Sequence, residues 1–275
     1  MKKMLVATTV ALSLIMMLAT VGMAKDVLMM ATTTSTDNTG LLDELAPMFT
    51  EDTGIDLRWT AIGTGKALAM GRNCDVDVLL VHAPGAEKKE VDAGNAIDRT
   101  QLMYNDFVII GPASDPAGVK GMGVVEAMKT FAVKHGVFCS RGDNSGTNKK
   151  ELSLWKAAGM AVPEKQDWYV QTGQGMIATI RVAAEKGGYT MTDRGTYIKY
   201  EANEKGNPAL KVLVEGDKTL FNQYSAMAVN PAKCPKVQYE LAGKFIDWMA
   251  SAKAQKAIAD FRLMGKQLFT PNAGM

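Results

Sequence analysis

Short apolar, β-rich runs alternate along this chain with longer stretches of helical periodicity. The pattern predicts strands at residues 27–30, 55–61, 76–81, 107–111, 137–140 and 211–215. It predicts helices at residues 41–50, 66–72, 86–93, 124–135, 148–158, 175–187 and 238–259. Alternation of this kind is typical of an α/β fold with mostly parallel sheets. With 275 residues and no low-complexity linker, the chain has room for two lobes joined directly by strands.

Two segments suit the role of strands that cross between lobes. Residues 106–112 form a buried-type run that ends at Pro112, and residues 221–231 form a second run that ends at Pro231. From the pattern alone, two ordinary core strands are the favoured interpretation.

The first 24 residues have the pattern of a signal peptide. Lys2 and Lys3 precede an uncharged apolar run at residues 5–21, and Gly22 to Ala24 supply small residues for cleavage. The run is short for a membrane span of about 20 residues, although a retained anchor is the alternative. We therefore expect export to the periplasm with cleavage near residue 24.

The charge balance argues against a nucleic-acid partner. Removal of residues 1–24 takes away Lys2 and Lys3 and no acidic residue, so 29 basic residues remain against 29 acidic ones. A nucleic-acid binder normally carries a basic stripe. A site for an anion in this chain must therefore be local.

The cysteines and histidines give no metal pattern. Cys74, Cys139 and Cys234 are widely spaced, which leaves open one disulfide with one free thiol or three free thiols. His82 and His135 are far apart in the sequence. We expect no cation site and no cofactor.

The richest chemical motif is at residues 140–147, which read Ser-Arg-Gly-Asp-Asn-Ser-Gly-Thr and run directly into a predicted helix. Backbone N–H groups at a helix start lack intrahelical partners, and the helix dipole adds partial positive charge there. Asp143 or Asn144 is the expected N-cap, while Ser145, Thr147 and the planar guanidinium of Arg141 are candidate anion ligands.

Two further strand–turn–helix segments offer hydroxyl groups. Residues 32–35 read Thr-Thr-Thr-Ser after an apolar strand, and four hydroxyls exceed what one helix cap needs. Residues 63–65 read Gly-Thr-Gly before another helix, without the spacing of a P-loop. The candidate ligands here are Thr32, Thr34, Ser35 and Thr64. Residues 171–176 and 189–196, the latter with Arg194, are weaker candidates.

These segments are rich in donors and poor in bases. A serine nucleophile needs a general base within reach, and neither histidine has an evident serine or acid context in the sequence. Ser145 is not in Gly-x-Ser-x-Gly, since Asp143 stands at the first glycine position. The profile favours a binding protein and not an enzyme.

Over essentially its whole mature length the chain resembles the TupA-type tungstate-binding proteins of ABC transporters. The resemblance rests on residues 32–35, on residues 81–87 (Val-His-Ala-Pro-Gly-Ala-Glu) and on residues 140–147. It implies a periplasmic-binding-protein fold of type II, with two lobes that each contain a mixed sheet flanked by helices, and with two crossover strands. We expect lobe 1 at residues 25–110 and 225–275, lobe 2 at residues 111–224, and the ligand between them.

The resemblance also implies partners and a ligand. The expected function is capture of a tetrahedral oxyanion, tungstate or molybdate, by a monomer that delivers it to the permease and ATPase of an ABC importer. Phosphate or sulfate binding on the same fold is the alternative, and an exported enzyme is the alternative of another class. Phosphate at neutral pH carries a proton, so a carboxylate of Asp37 or Asp143 pointing into the site would favour it.

Overall fold

The computed structural model describes residues 26–274, so the predicted signal peptide lies outside the described residues. Within this range the strands are β1 (Val27–Thr33), β2 (Asp56–Ile62), β3 (Val78–Val81), β4 (Ala96–Pro112), β5 (Phe138–Ser140), β6 (Tyr169–Gln171), β7 (Tyr189–Asp193), β8 (Leu210–Val214), β9 (Phe221–Val229), β10 (Arg262–Leu263), β11 (Lys266–Gln267) and β12 (Thr270–Pro271). The helices are α1 (Thr34–Asp37), α2 (Leu41–Thr53), α3 (Thr64–Arg72), α4 (Pro84–Asp92), α5 (Val124–Lys134), α6 (Gly146–Ala157), α7 (Met176–Glu185), α8 (Arg194–Asn203), α9 (Tyr239–Ala250) and α10 (Ala252–Asp260).

The strands form two mixed sheets that share one strand. In the first sheet the order is β2-β1-β3-β9-β4, with β1, β2 and β3 parallel and β9 antiparallel to both neighbours. In the second sheet β4 pairs with β7 and β8, and β7 is followed by the parallel strands β5 and β6. Strand β4 has 17 residues, which is enough to belong to both sheets.

The register shows where β4 changes sheets. Asp106 of β4 lies opposite Phe221 of β9, and the next residue, Phe107, lies opposite Asp193 of β7. Because β4 runs in the direction of β1–β3 and opposite to β5–β7, the two sets of parallel strands point toward each other. Their carboxyl ends, where ligands bind in open α/β sheets, therefore face one region between the two sheets, the junction.

Each sheet is covered by helices on both faces. In the first sheet one face packs against α2, α9 and α10 around Phe49 and Phe245, and the other packs against α3 around Leu68. In the second sheet one face packs against α5 and α6 around Trp155, and the other against α7 and α8 around Ile180. The predicted α/β class is thus confirmed, while the lobe boundaries at 110/111 and 224/225 stay predictions.

The sequence prediction of one helix over residues 238–259 is wrong. The chain forms α9 and α10, with Ser251 between them in an extended conformation. The Ser251 hydroxyl accepts a hydrogen bond of 3.3 Å from the backbone N–H of Ala254. Serine competes well for helix N-caps, so it starts a new helix at this point. Strands β6 and β7 and helix α8 were not predicted.

The cysteine question is resolved as one disulfide and one thiol. Cys74, just after α3, is bonded to Cys234, before α9, across 160 residues of sequence. Cys139 is a buried free cysteine on β5, and burial raises the pKa of its thiol to about 11. The disulfide therefore links the segment after α3 to the segment before α9. Cys139 is an unreactive core residue.

Helix α6, which follows the richest motif, is fixed by a buried carboxylate. Glu151 is 2% exposed. One oxygen accepts from Trp155 Nε1 at 2.8 Å and from the Tyr169 hydroxyl at 2.6 Å, and the other accepts from the Ser140 hydroxyl and from Asn148 Nδ2. Because Ser140 ends β5 and Asn148 lies in the first turn of α6, this carboxylate sets the shape of the loop between them.

In the part of the chain from residue 26 to residue 274, no helix has the length and apolar character needed to cross a membrane.

We predict that Gly111→Ala destabilises the protein by about 1–3 kcal/mol, since an added methyl group overpacks the core. A Cβ at this position of β4 would lie 2.3 Å from the ring of Tyr189. That ring cannot move freely, because its hydroxyl donates to Asp115 and accepts from the N–H of Ala117. Chemical denaturation measures the loss.

Gly243→Ala is the matched control for this prediction. Gly243 lies within α9, and a methyl group added there would meet no atom within 4 Å outside its own helix backbone and chain neighbours. Alanine there should be neutral or stabilising by up to about 1 kcal/mol. Equal stability of the Gly111 and Gly243 variants would contradict the packing argument.

We further predict that Glu151→Gln costs about 1–3 kcal/mol of unfolding free energy, because the amide NH₂ meets buried donors where an acceptor is required. Glu126→Gln on the exposed face of α5 is the control and should change stability by less than about 0.5 kcal/mol. Both variants are compared by urea denaturation. A Glu151 variant as stable as the Glu126 variant would show that the four donors do not depend on the charge.

Candidate functional site

Three helix entrances, the segments that lead from a strand into a helix, lie at the junction. The first is the turn after β1, which presents hydroxyl groups there. Thr33 is the N-cap of α1, and its hydroxyl accepts from the backbone N–H of Thr36. Thr34 and Ser35 follow in the first turn of α1, and both are exposed. These two predicted residues lie where an anion can reach them.

Thr32 does not present its side chain to the junction. It is fully buried, and its hydroxyl donates a hydrogen bond of 2.8 Å to the carbonyl oxygen of Leu80 in β3. The reason is the pleat of β1, which turns successive side chains to opposite faces. The neighbouring Thr33, which was not among the predicted ligands, supplies the hydroxyl on this side of the turn.

The second entrance is the start of α3. Thr64 is the first residue of this helix, two positions after the end of β2, and is partly exposed. Because Ile62 of β2 pairs with Thr33 of β1, Thr64 and the α1 turn lie at the same sheet edge. The N–H groups of Thr64 and Gly65 have no backbone partner among residues 26–274.

The third entrance is the loop between β5 and α6. The N-cap of α6 is Ser145, whose hydroxyl accepts from the N–H of Asn148 at 3.2 Å, so the expectation of Asp143 or Asn144 at this position is wrong. Asp143 instead accepts from the N–H of Ser145 at 3.1 Å and pairs with the guanidinium of Arg141. This short ion pair lies directly in front of the helix start.

The start of α6 retains free donors. Hydrogen bonding within the helix begins at Asn148 and Lys149, so the N–H groups of Gly146 and Thr147 have no partner in the described part of the chain. The Nε atom of Arg141 is also buried and unpaired in that part. Unpaired buried donors are costly unless a ligand satisfies them.

Two neighbours hold this loop in place. Gly142 has a φ of +59°, and a Cβ there would lie 3.0 Å from the side chain of Gln171. The turn after β6 donates from the N–H of Thr172 to the carbonyl oxygen of Ser140 and from Gly173 to that of Arg141. Residues 171–176 therefore support the Arg141 loop through their backbone.

Strand order brings these entrances to the two sides of one junction. Thr34, Ser35 and Thr64 follow strands of the first sheet. Arg141, Ser145 and Thr147 follow β5 of the second sheet, whose parallel strands point the opposite way. Six of the seven predicted ligands thus lie at facing carboxyl edges, and Thr32 is directed elsewhere.

His82 lies within the first entrance, although its neighbours in the sequence gave it no serine context. Its Nε2 is 2.9 Å from the Thr33 hydroxyl and 3.0 Å from the Ser35 hydroxyl. Its Nδ1 is 3.0 Å from the Oδ1 atom of Asn222. Burial lowers the pKa of His82, against the opposing effects of the Asn222 hydrogen bond and the charge of Asp193, so the imidazole is neutral at neutral pH.

The sequence analysis also missed Lys150, a second positively charged side chain near the junction. Lys150 Nζ lies 3.4 Å from the carbonyl oxygen of Phe221 and 6.0 Å from the ring centroid of Phe107. Burial lowers its pKa, and the nearby carboxylate of Asp217 opposes that effect. Lys150 follows Thr147 by three residues on the same face of α6, and this helical spacing was the available sequence signal.

Arg194, the other arginine considered from the sequence, is already neutralised. Its guanidinium binds both carboxylate oxygens of Asp106, and it also contacts Glu215 at 2.7 Å. The pKa of Arg194 is raised, chiefly by the Asp106 hydrogen bonds. Arg194 links α8 to strand β4. Its positive charge is already balanced by the carboxylates of Asp106 and Glu215.

Asp37 and Asp143, the candidate acceptors of a ligand proton, both take part in hydrogen bonds. Asp37 accepts from Trp59 Nε1 at 2.7 Å. For Asp143, burial would raise the pKa, but hydrogen bonds from Ser145 and the Arg141 guanidinium outweigh it, and the pKa lies below its usual value. Both oxygens of Asp143 are therefore bonded, to the Ser145 N–H and to Arg141, whereas Asp37 is bonded through Oδ1.

No group of three or more His, Cys, Asp or Glu side chains within residues 26–274 is arranged to hold a metal ion. The donors at the junction are hydroxyls, backbone N–H groups and a guanidinium. Such a set matches a ligand that carries only acceptor oxygens.

Comparisons with known proteins identify the family of this chain. A family model described as a PBP superfamily domain matches residues 20–253. A tungstate-binding protein TupA of Campylobacter jejuni is 53% identical over 239 residues, which cover 87% of this chain and 88% of that protein.

Two solved structures extend the match. A tungstate-binding protein TupA from Desulfovibrio alaskensis is 74% identical with a TM-score of 0.89, over 90% of this chain and 99% of that one. A protein described as the tungstate ABC transporter from Geobacter sulfurreducens is 46% identical with a TM-score of 0.73, over 86% of this chain and 100% of that one. The expected type II periplasmic-binding-protein fold is confirmed, and the chain belongs to the PBP superfamily and, within it, to the family of the TupA tungstate-binding proteins.

Proposed function

We propose that this protein is a periplasmic solute-binding protein that captures tungstate or molybdate and delivers it to the permease and ATPase of an ABC importer. The proposal assigns anion contacts to the side chains of Thr34, Ser35, Thr64, Arg141, Ser145 and Thr147. The protein acts as a monomer, after loss of residues 1–24, and carries out no turnover.

The observation that carries the proposal is the set of unpaired donors at the start of α6. The N–H groups of Gly146 and Thr147 and the Nε of Arg141 lack partners among the described residues. A dianion with four acceptor oxygens supplies partners for all of them. Charge-assisted hydrogen bonds of this kind contribute about 1.5–3 kcal/mol each.

The engaged carboxylates support tungstate or molybdate over phosphate. A phosphate site gains from an acceptor for the ligand proton, whereas both oxygens of Asp143 already accept hydrogen bonds, from Ser145 and Arg141, and Oδ1 of Asp37 accepts from Trp59. Tungstate and molybdate are unprotonated dianions at neutral pH. Sulfate shares this property, so size and bond length must separate it from the larger anions.

One observation favours an enzyme as the second candidate. Ser35, His82 and Asn222 form a hydrogen-bonded series like that of a nucleophile, a base and an orienting amide. Nε2 is shared with the hydroxyl of buried Thr33, which weakens its use as a base for Ser35. Hydrolysis of an activated ester that disappears in Ser35→Ala would establish this alternative.

We expect tungstate or molybdate to stabilise the protein far more than sulfate or phosphate. Ligand at about 1,000 times its Kd adds about 4 kcal/mol to the unfolding free energy. Thermal melting with each of the four anions measures this. The largest shift with phosphate, or no shift with any of them, would contradict the proposed ligand.

In calorimetry, Arg141→Ala should weaken tungstate affinity at least about tenfold, since a dry site loses a full positive charge. Arg181→Ala is the control, because Arg181 is an exposed arginine on α7. It removes the same charge from the protein and should leave the affinity unchanged. Equal affinities of the two variants would remove Arg141 from the site.

Asp143→Asn should strengthen tungstate binding by about threefold to tenfold. Asparagine retains an acceptor for the Ser145 N–H but no longer neutralises Arg141, so the anion meets a larger net positive charge. Asp75→Asn, in the exposed loop between α3 and β3, controls for total charge. Weaker binding by the Asp143 variant would mean that the carboxylate is needed to shape the loop.

A further inference from the structure

His82 is the side chain at the junction whose contacts extend furthest from it. One ring nitrogen faces the hydroxyls of Thr33 and Ser35, and the other faces Asn222 at the start of β9. The ring is stacked on Tyr224 with 4.6 Å between centroids. The imidazole is therefore held on three sides, by the α1 turn, by the amide of Asn222 and by the face of Tyr224.

The orientation of Asn222 fixes the protonation pattern of this ring. Asn222 is buried, and its Nδ2 donates at 2.8 Å to the Oδ1 atom of Asn105 in β4. The remaining amide atom, Oδ1, is an acceptor and faces His82 Nδ1, which must then carry the proton. In the neutral ring Nε2 is consequently an acceptor, and its lone pair accepts a hydrogen bond from a hydroxyl of the turn, that of Thr33 or Ser35.

The series of contacts joins the turn to strands β9 and β4. Asn105 precedes the residue where β4 changes sheets, and Asn222 lies at the same level of β9. Thr33 and Ser35 lie 49 and 47 residues from His82 in sequence. In the sheet, β3 lies between β1 and β9. His82 directly follows β3, so its side chain can link the turn after β1 to strand β9.

We propose that His82 is a positioning residue for the oxyanion, which uses its two ring nitrogens to fix the Thr33–Ser35 turn to strands β4 and β9. The inference rests on the proposed function, since the turn is one side of the proposed anion site. It assigns a role to His82 that does not require contact with the ligand. Anion affinity then depends on a preorganised turn, whose hydroxyls need no reordering when the ligand arrives.

Two substitutions separate the two ring nitrogens. His82→Gln can place an amide oxygen near the position of Nε2, and so keeps an acceptor for the turn while losing the contact with Asn222. His82→Asn can place an amide N–H near the position of Nδ1, and so keeps the contact with Asn222 while losing the turn. His135→Asn is the control, since His135 is exposed and is the only other histidine in the chain.

In calorimetry with tungstate, we expect His82→Asn to bind about tenfold more weakly than wild type and His82→Gln to stay within about threefold. His135→Asn should match wild type. Melting temperatures of all three variants are measured without ligand. Wild-type affinity in His82→Asn, or equal losses in both His82 variants, would overturn the proposal.

Imidazole ¹⁵N NMR of the ligand-free wild-type protein gives a second test that requires no variant to fold. The expected spectrum shows His82 protonated at Nδ1, with His135 as the internal reference, and the same tautomer after tungstate is added. A proton on Nε2 would overturn the proposal. If the wild-type protein binds none of the four anions, both the proposed function and the inference about His82 fail. If wild type binds normally and the His82→Asn variant binds equally well, only the inference about His82 fails.

Discussion

The pairing of one strand, β4, with both sheets is the constraint on which the rest of the structure depends. Because β4 passes from β9 at Asp106 to β7 at Phe107, the parallel strands of the two sheets must run toward each other. Helices that follow those strands then begin at the junction, with their N–H groups directed into it. The fold therefore gathers free backbone donors at the junction, independently of the side chains there. The bidentate contact of Arg194 with Asp106 strengthens this arrangement at the point where β4 changes sheets.

The charge at the junction is small and local, which suits a chain with nearly balanced acidic and basic residues. The starts of α3 and α6 supply about +1 in partial charge. Arg141 adds a full charge that Asp143 largely cancels in the structure, and Lys150 adds another whose pKa is lowered by burial. The pairing with Asp143 leaves no uncompensated charge on the Arg141 guanidinium in the structure.

Local sequence patterns predicted the α/β class, most helices, and the three hydroxyl-rich entrances, because each of these depends on neighbours within a few residues. The pattern failed where the outcome depended on distant partners. Thr32 was chosen with Thr34 and Ser35 as a polar run, but the pleat of β1 directs its hydroxyl to Leu80. His82 appeared isolated because its partners lie 47 to 140 residues away. At Ser251 the apolar periodicity continued through a helix break, so capping chemistry decided the outcome there.

Helix α8 packs against both sheets on one side of the junction. Its residue Ile198 packs with the core of the first sheet, although Tyr197 and Tyr200 pack with the second. Lys199 donates to the carbonyl oxygen of Asn38, and Lys266, near the end of the chain, pairs with Glu201. These contacts connect the two halves on one side of the junction, in addition to the shared strand β4. Separating the two halves on this side would expose the buried side chain of Ile198, at a cost of about 1.5–3 kcal/mol in apolar surface.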